Sequence, residues 1–213
     1  IRSSLLLSSP DRPPRTILIT SMSPQEGKTA TAANMARILS QNNRKVLIID
    51  CDMRRPRIHS LFAVSNSYGL SNYLTGITEK NLVKHLEGEN ISIITSGSIP
   101  PNPAELLHSS RMKLLLDDML KIFDFIILDS PPVQSVTDSL TLSRLVDGTL
   151  LVTRAGKTTY DMMESGLKKM HEVHTHILGV IINGLHKSQN NSGYYGYYDY
   201  YSKIETQNKA DTL

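Results

Sequence analysis

The 213-residue chain has one cysteine, a net charge of only +3 and no apolar run of the roughly 20 residues that a membrane-spanning helix requires. The single cysteine, Cys51, excludes an internal disulfide framework and fits a reducing compartment. Leu5-Leu6-Leu7 is far too short to cross a bilayer. The small charge gives no argument for nucleic acid, and no nucleic-acid partner is expected. Hydrophobic residues, at 39%, fall somewhat below the usual globular share. The chain begins with Ile1 rather than Met and shows no signal peptide, so the expectation is a domain excised from a larger protein.

The apolar residues that are present are well separated and strongly patterned. Six short runs read as strands: Thr16 to Thr20, Val46 to Ile49, Ile91 to Thr95, Phe125 to Leu128, Thr149 to Thr153 and Ile177 to Ile182. Most are β-branched and nearly continuous, which is the pattern of parallel strands covered on both faces. Helical stretches separate them. Lys28 to Gln41 places Ala32, Met35, Ala36 and Leu39 on one stripe. Pro103 to Leu120 opens with proline in a first turn. Ser139 to Leu145 and Tyr160 to Val173 are further helical stretches. Alternating strands and helices predict one α/β domain with a mostly parallel, doubly wound sheet and right-handed crossovers.

Three segments at expected strand ends carry chemistry. Gln25-Glu26-Gly27-Lys28-Thr29 lies between the first strand and the first helix, where backbone N–H groups can cradle phosphates. Lys28 would reach the β- and γ-phosphates, and the Thr29 hydroxyl would bind Mg²⁺. The position of the loop's usual first glycine holds Met22, so an ordinary strand-to-helix turn stands as the alternative. A second strand runs into Asp50-Cys51-Asp52-Met53-Arg54. Strand alternation would send Asp50 and Asp52 the same way if the extended geometry persists. Two carboxylates there can hold hydrated Mg²⁺ and accept a proton from a hydroxyl, or can be solvated loop acids. Cys51 between them reads as core. Arg54, Arg55 and Arg57 either line a solvated face or neutralise phosphate or an acidic neighbour. A third strand ends in Asp129, a plausible Mg²⁺-side carboxylate.

From about Lys187 the composition shifts to Ser, Gln, Asn, Gly and Tyr. Tyr194, Tyr195, Tyr197, Tyr198, Tyr200 and Tyr201 put six of the chain's nine tyrosines into eight residues. A run of phenols beside Gly193 and Gly196, with no apolar residue between, makes a poor core strand. It reads as a mobile array of phosphorylatable hydroxyls, and so as an enzyme that carries its own substrate.

These residues resemble the bacterial tyrosine kinase family, the cytoplasmic kinase domains of capsule and exopolysaccharide co-polymerases. Ser21 to Thr29 is similar to the family's Walker A loop, Ile48 to Pro56 to its second Walker motif and Ile126 to Pro132 to its Walker B. Gly69-Leu70-Ser71, Pro100 to Leu107 and Arg154-Ala155-Gly156-Lys157-Thr158-Thr159 are also similar to family segments. The resemblance implies a P-loop fold related to MinD- and ParA-type ATPases. It implies a kinase domain over residues 1–186 and a flexible tyrosine-rich tail over 187–213. Implied ligands are ATP, held by Ser23, Pro24, Gln25, Glu26, Gly27, Lys28, Thr29, Ala30 and Asn183, and Mg²⁺, held by Thr29, Asp50 and Asp129. The implied catalytic set is Lys28, Asp50, Asp52 and Arg54, with Asp52 ahead of Asp50 as the group that activates the tyrosine. The tail tyrosines are the implied phosphorylation sites, modified by a neighbouring subunit in a homo-oligomeric ring, with an octamer as the candidate size. Implied partners are a transmembrane co-polymerase segment or activator and a phosphotyrosine phosphatase, at the inner face of the cell membrane. The family's ring-forming helix carries a glutamate and two arginines. Ile1 to Leu5 looks like the end of that helix, with Arg2 as its last arginine and the other two residues absent.

Two other readings compete. A MinD- or partition-type ATPase switch carries a signature lysine five positions before the loop lysine, where this chain has Ser23. A nucleotide-binding regulatory module without transfer activity would use the tail only for docking. His171, His174 and His176 lack the spacing of a zinc site and read as surface residues.

Overall fold

The structure, a computed structural model, describes residues 13–77 and 81–185. The chain divides into a compact unit ending at Asn183 and a second one from Gly184 to Leu213. Of the second only Gly184 and Leu185 are described, so the expected tail, its six tyrosines and the Ile1 to Leu5 segment all lie outside the described residues.

The elements follow in the order β1 (Thr16–Ser21), α1 (Lys28–Leu39), β2 (Val46–Asp50), α2 (Ile58–Leu61), α3 (Leu70–Leu74), β3 (Lys84–His85), β4 (Ile91–Ile94), α4 (Pro103–His108), α5 (Ser110–Met119), β5 (Phe125–Asp129), α6 (Asp138–Ser143), β6 (Gly148–Arg154), α7 (Tyr160–Glu172) and β7 (Ile177–Asn183). Among the described residues seven strands form one sheet in the order β3-β4-β2-β5-β1-β6-β7. Every pairing is parallel except β3 with β4. This is the doubly wound sheet that the alternating pattern predicts.

The strand period sorts the core into two layers. Leu18, Leu47, Ile49, Ile126 and Leu128 face one side, with Leu70, Leu107, Met112, Leu116 and Leu142 from the helices. Ile17, Ile19, Val46, Ile48 and Ile127 face the other and meet the α1 stripe of Ala32, Met35, Ala36 and Leu39. Both layers are essentially dry, which is why the central strands read as unbroken apolar runs.

Three expectations are corrected. The helix expected from Pro103 to Leu120 is two helices, α4 and α5, broken at Ser109, whose backbone is extended (φ −68°, ψ 152°). Its hydroxyl donates to the Leu106 carbonyl at 2.6 Å, a local bond that competes with continuing the helix. The last strand is not covered on both faces. Among the described residues β7 stands at the sheet edge and pairs with β6 alone, and Val180 and Ile182 are 47% and 56% exposed. The extended geometry expected from Asp50 to Asp52 stops at Asp50, where β2 ends, and the two carboxylates serve different places.

Candidate active site

The sheet register fixes the floor of the site. Asp50 closes β2, Asp129 closes β5, and the two are direct partners across the parallel pair. Asp129 is also level with Ile19 on β1, two residues before that strand ends at Ser21. The loop after β1 therefore arches over the carboxyl ends of the central strands, where ligands of open parallel sheets bind. A cavity of about 440 Å³ opens there.

Of the residues expected at this site, Pro24, Gln25, Gly27, Lys28, Thr29, Ala30, Asp52 and Arg54 line the cavity. Lys28, the first residue of α1, reaches Asp52 Oδ2 at 2.9 Å and Asp129 Oδ1 at 3.5 Å. Burial works against its charge, but Asp129 and Asp52 outweigh that and leave its pKa above the ordinary lysine value. A cation at a helix N-terminus opposes the macrodipole, and these two carboxylates offset the conflict. Asp52 Oδ1 also accepts the Arg55 N–H at 3.0 Å, so the carboxylate is held at the cavity wall by bonds from both sides.

Gly27, which caps α1, has φ +98°, and no side chain caps the helix. The first N–H groups of a helix lack intrahelical partners and form a ready anion site. A Cβ on Gly27 would stand 2.1 Å from Asn183 Nδ2, and its φ of +98° is strained for any other residue, so glycine fits this position. Asp129 is fully buried, and among the described residues neither of its oxygens has a hydrogen-bond partner, Lys28 Nζ standing 3.5 Å away. Burial raises its pKa, opposed chiefly by the charge of Lys28. A buried carboxylate with open lone pairs beside the Thr29 hydroxyl is the donor set that a hard divalent cation takes. Among the described residues no cluster of three or more His, Cys, Asp or Glu is arranged as a metal cage.

Four expected residues sit elsewhere. Asp50 does not line the cavity: Oδ2 accepts from the N–H groups of Arg57 and Ile58 at 3.1 and 3.0 Å, and Oδ1 from that of Asp52 at 3.2 Å. Its carboxylate shapes the turn that presents Asp52. Burial pushes it up to about 7, with the charge of Asp129 adding to the shift. Ser23 and Glu26 bond to each other, N–H to Oε2 at 2.8 Å, behind the loop. Asn183, at the end of β7, donates to the Glu26 carbonyl at 3.1 Å.

Arg54 lines the cavity and is also gripped from behind. Its Nε and Nη2 donate to the buried Asp138 at 3.0 and 3.2 Å, a bidentate pair that fixes the guanidinium plane. Asp138 was missed from sequence because an acid in the first turn of a helix has an ordinary local explanation. Arg55, Arg57, Pro131, Pro132, Ser135 and Val136 also line the cavity.

Residues 15–178 match the family model described as AAA domain. The chain is 37% identical over 200 residues to the tyrosine-protein kinase YwqD of Bacillus subtilis, covering 92% of this chain and 84% of that protein. It is 37% identical over 188 residues to the tyrosine-protein kinase etk of Escherichia coli K12, spanning 88% of this chain but 26% of that protein. The solved kinase domain of Escherichia coli ETK superposes with a TM-score of 0.79 at 37% identity, over 84% of this chain and 71% of that one. The cell division ATPase MinD of Pyrococcus furiosus shares the fold, with a TM-score of 0.68 at 23% identity, over 82% of this chain and 73% of that one. A relative named as a tyrosine-protein kinase, 37% identical with 84% of its length covered, together with a solved tyrosine kinase domain of the same fold, establishes that this chain belongs to the bacterial tyrosine kinase family.

Proposed function

We propose that the chain is a protein-tyrosine kinase that moves the γ-phosphoryl group of ATP to tyrosine, with the cluster Tyr194 to Tyr201 of an adjacent copy as its own acceptor. The observation that carries this is the convergence of Lys28 and Asp52 at the mouth of a cavity beneath an uncapped helix. The open N–H groups of α1 and the Lys28 ammonium bind the phosphate chain. Thr29 and Asp129 would hold Mg²⁺, which when bound neutralises charge on the transferring group. Asp50 supports the site from below by fixing the turn that carries Asp52.

A free phenol has a pKa of about 10 and needs a base to lose its proton near neutrality. Asp52 orients the acceptor hydroxyl and takes that proton. The phenolic oxygen then bonds to the γ-phosphorus as the bond to the β-phosphate oxygen breaks, and ADP leaves. Arg54, held in plane by Asp138, steadies the charge on the transferring group. By the family reading the protein works at the inner face of the cell membrane with a transmembrane co-polymerase segment or activator. It assembles there as a ring, controls exopolysaccharide or capsule polymerisation and export, and is reset by a phosphotyrosine phosphatase. Each added phosphate brings about −1.5 to −2 charge, so a loaded tail is repelled from the acidic site.

Incubation with γ-labelled ATP, followed by site-resolved mass spectrometry, tests the proposal. Label on the tail tyrosines is the expected result. Free phosphate alone would assign an ATPase switch, and no turnover a binding module.

A further inference from the structure

The carbonyls of Pro24, Gln25 and Glu26 are tied in succession by three side chains. Lys157 Nζ donates to Pro24 O at 2.8 Å, Arg154 Nη1 to Gln25 O at 3.2 Å and Asn183 Nδ2 to Glu26 O at 3.1 Å. Arg154 closes β6, Lys157 lies in the turn that follows it, and Asn183 closes β7. A trans peptide is planar, with its C=O and the following N–H pointing opposite ways, and no peptide among the described residues is cis. Tying those three oxygens away from the cavity therefore turns the N–H groups of Gln25, Glu26 and Gly27 to the opposite side. Successive N–H groups on one side of a turn make an anion-binding concavity. The loop reaches this shape through unusual backbone angles, φ +64° at Gln25 and +98° at Gly27, which local preference alone would not hold.

The same turn restrains the loop's own negative charge. Glu26 is fully buried, and its carboxylate would repel a phosphate if it swung inward. Its Oε1 accepts the Thr158 hydroxyl, and its Oε2 accepts the Ser23 N–H. The Thr158 oxygen in turn accepts the Arg154 N–H at 2.9 Å, and the Ala155 N–H donates to Asn183 O at 2.9 Å. The turn is thus a small rigid block, closed by Gly156 at φ +73°. Resemblance alone marked these residues in the sequence, and it gave them no task.

We propose that Arg154, Lys157 and Thr158 are positioning residues for phosphate binding. They pin the loop's carbonyls and the Glu26 carboxylate away from the cavity so that its N–H groups face a phosphate chain. The inference rests on the kinase reading only in taking this cavity as the phosphate site.

The test is calorimetric titration of the intact chain with inorganic tripolyphosphate and with Mg·ATP. Thr158→Val and Lys157→Met remove a donor while keeping bulk, and Thr158→Ser and Lys157→Arg keep a donor. Thr158→Val and Lys157→Met should each weaken tripolyphosphate binding by about tenfold, and Thr158→Ser and Lys157→Arg should restore it. The KM for ATP should move in step. Lys157 is exposed, so its variants keep the fold, which circular dichroism and the melting temperature verify. Affinity within about twofold of the parent in both donor-less variants overturns the proposal. So does a loss that the conservative variants fail to restore, because that would mark a merely structural role. A parent chain that binds neither ligand removes the phosphate site itself, and the inference with it.

Discussion

The side chain of Met22 fills the space above Gly166 of α7: a Cβ built on that glycine would stand 2.1 Å from Met22 Sδ and 2.9 Å from its Cε. Met22 occupies the position where the loop motif usually has glycine, and it is fully buried among Val133, Leu151 and Met170. The loop thus carries a buried methionine at that position, and the helix that packs on it has a glycine beneath the methionine side chain. Gly166→Ala gains about 1 kcal/mol of helix propensity but forces Met22 to move, and overpacking of this kind costs about 1–3 kcal/mol. We expect net destabilisation of about 1 kcal/mol. In the Gly166→Ala background, Met22→Ala should cost clearly less than in the parent. Urea unfolding of the double-mutant cycle checks this, and strict additivity would mean the two residues do not compete for that space.

Asp129→Asn should separate stability from function. Asp129 is a buried carboxylate with no hydrogen-bond partner among the described residues, next to Asp50 and Asp52, with Lys28 3.5 Å away. Removing its charge relieves repulsion that a single ammonium does not balance, so the ligand-free variant should be more stable by about 1 kcal/mol. Tyrosine labelling should fall by about 10²-fold or more, because a group facing the transferring phosphate and its cation is lost. A less stable but active variant would contradict both halves.

Lys28→Met should abolish labelling and also destabilise the fold, since it strands Asp52 and Asp129 without their cation. The loss should be about 2–4 kcal/mol, and adding Asp129→Asn should recover part of it without recovering activity. Thermal unfolding and labelled-ATP assays on the three variants decide it. Normal labelling by Lys28→Met would mean the phosphate site lies elsewhere.

The sheet was legible because its central strands are buried on both faces and so are written as continuous β-branched runs. Their ends were legible too, since Asp50 and Asp129 interrupt those runs abruptly. What failed were features decided by neighbours remote in sequence. Edge strand β7 reads like a central one, because nothing in Ile177 to Asn183 reveals that a single strand pairs with it. Alternation placed Asp50 and Asp52 together, but β2 ends at Asp50 and the chain turns. One acid then serves the backbone of residues 57 and 58, and the other serves the cavity. The grip of Asp138 on Arg54 spans 84 residues and leaves no local trace. Likewise the turn of Arg154 to Thr158 meets the phosphate loop across more than 125 residues.

Asp124 supports a pH prediction remote from the site. One oxygen accepts the Lys45 N–H at 2.8 Å and the other the Arg44 guanidinium at 3.0 Å, which clips the entrance of β5 to that of β2. The Lys45 N–H, and after it Arg44, hold this carboxyl below its ordinary value of 3.8. A depressed folded-state pKa contributes stability that is complete above the unfolded value and is lost as pH falls through the folded one. The side chain is 35% exposed and the ion pair is screened, so the backbone bond carries most of the effect. Asp124→Asn should therefore cost about 0.5–1 kcal/mol at pH 7. That deficit should shrink toward zero at a pH well below the ordinary carboxylate value of 3.8. Urea midpoints at both pH values measure it. An equal deficit at the two would show that the carboxylate acts through its shape and not through its charge.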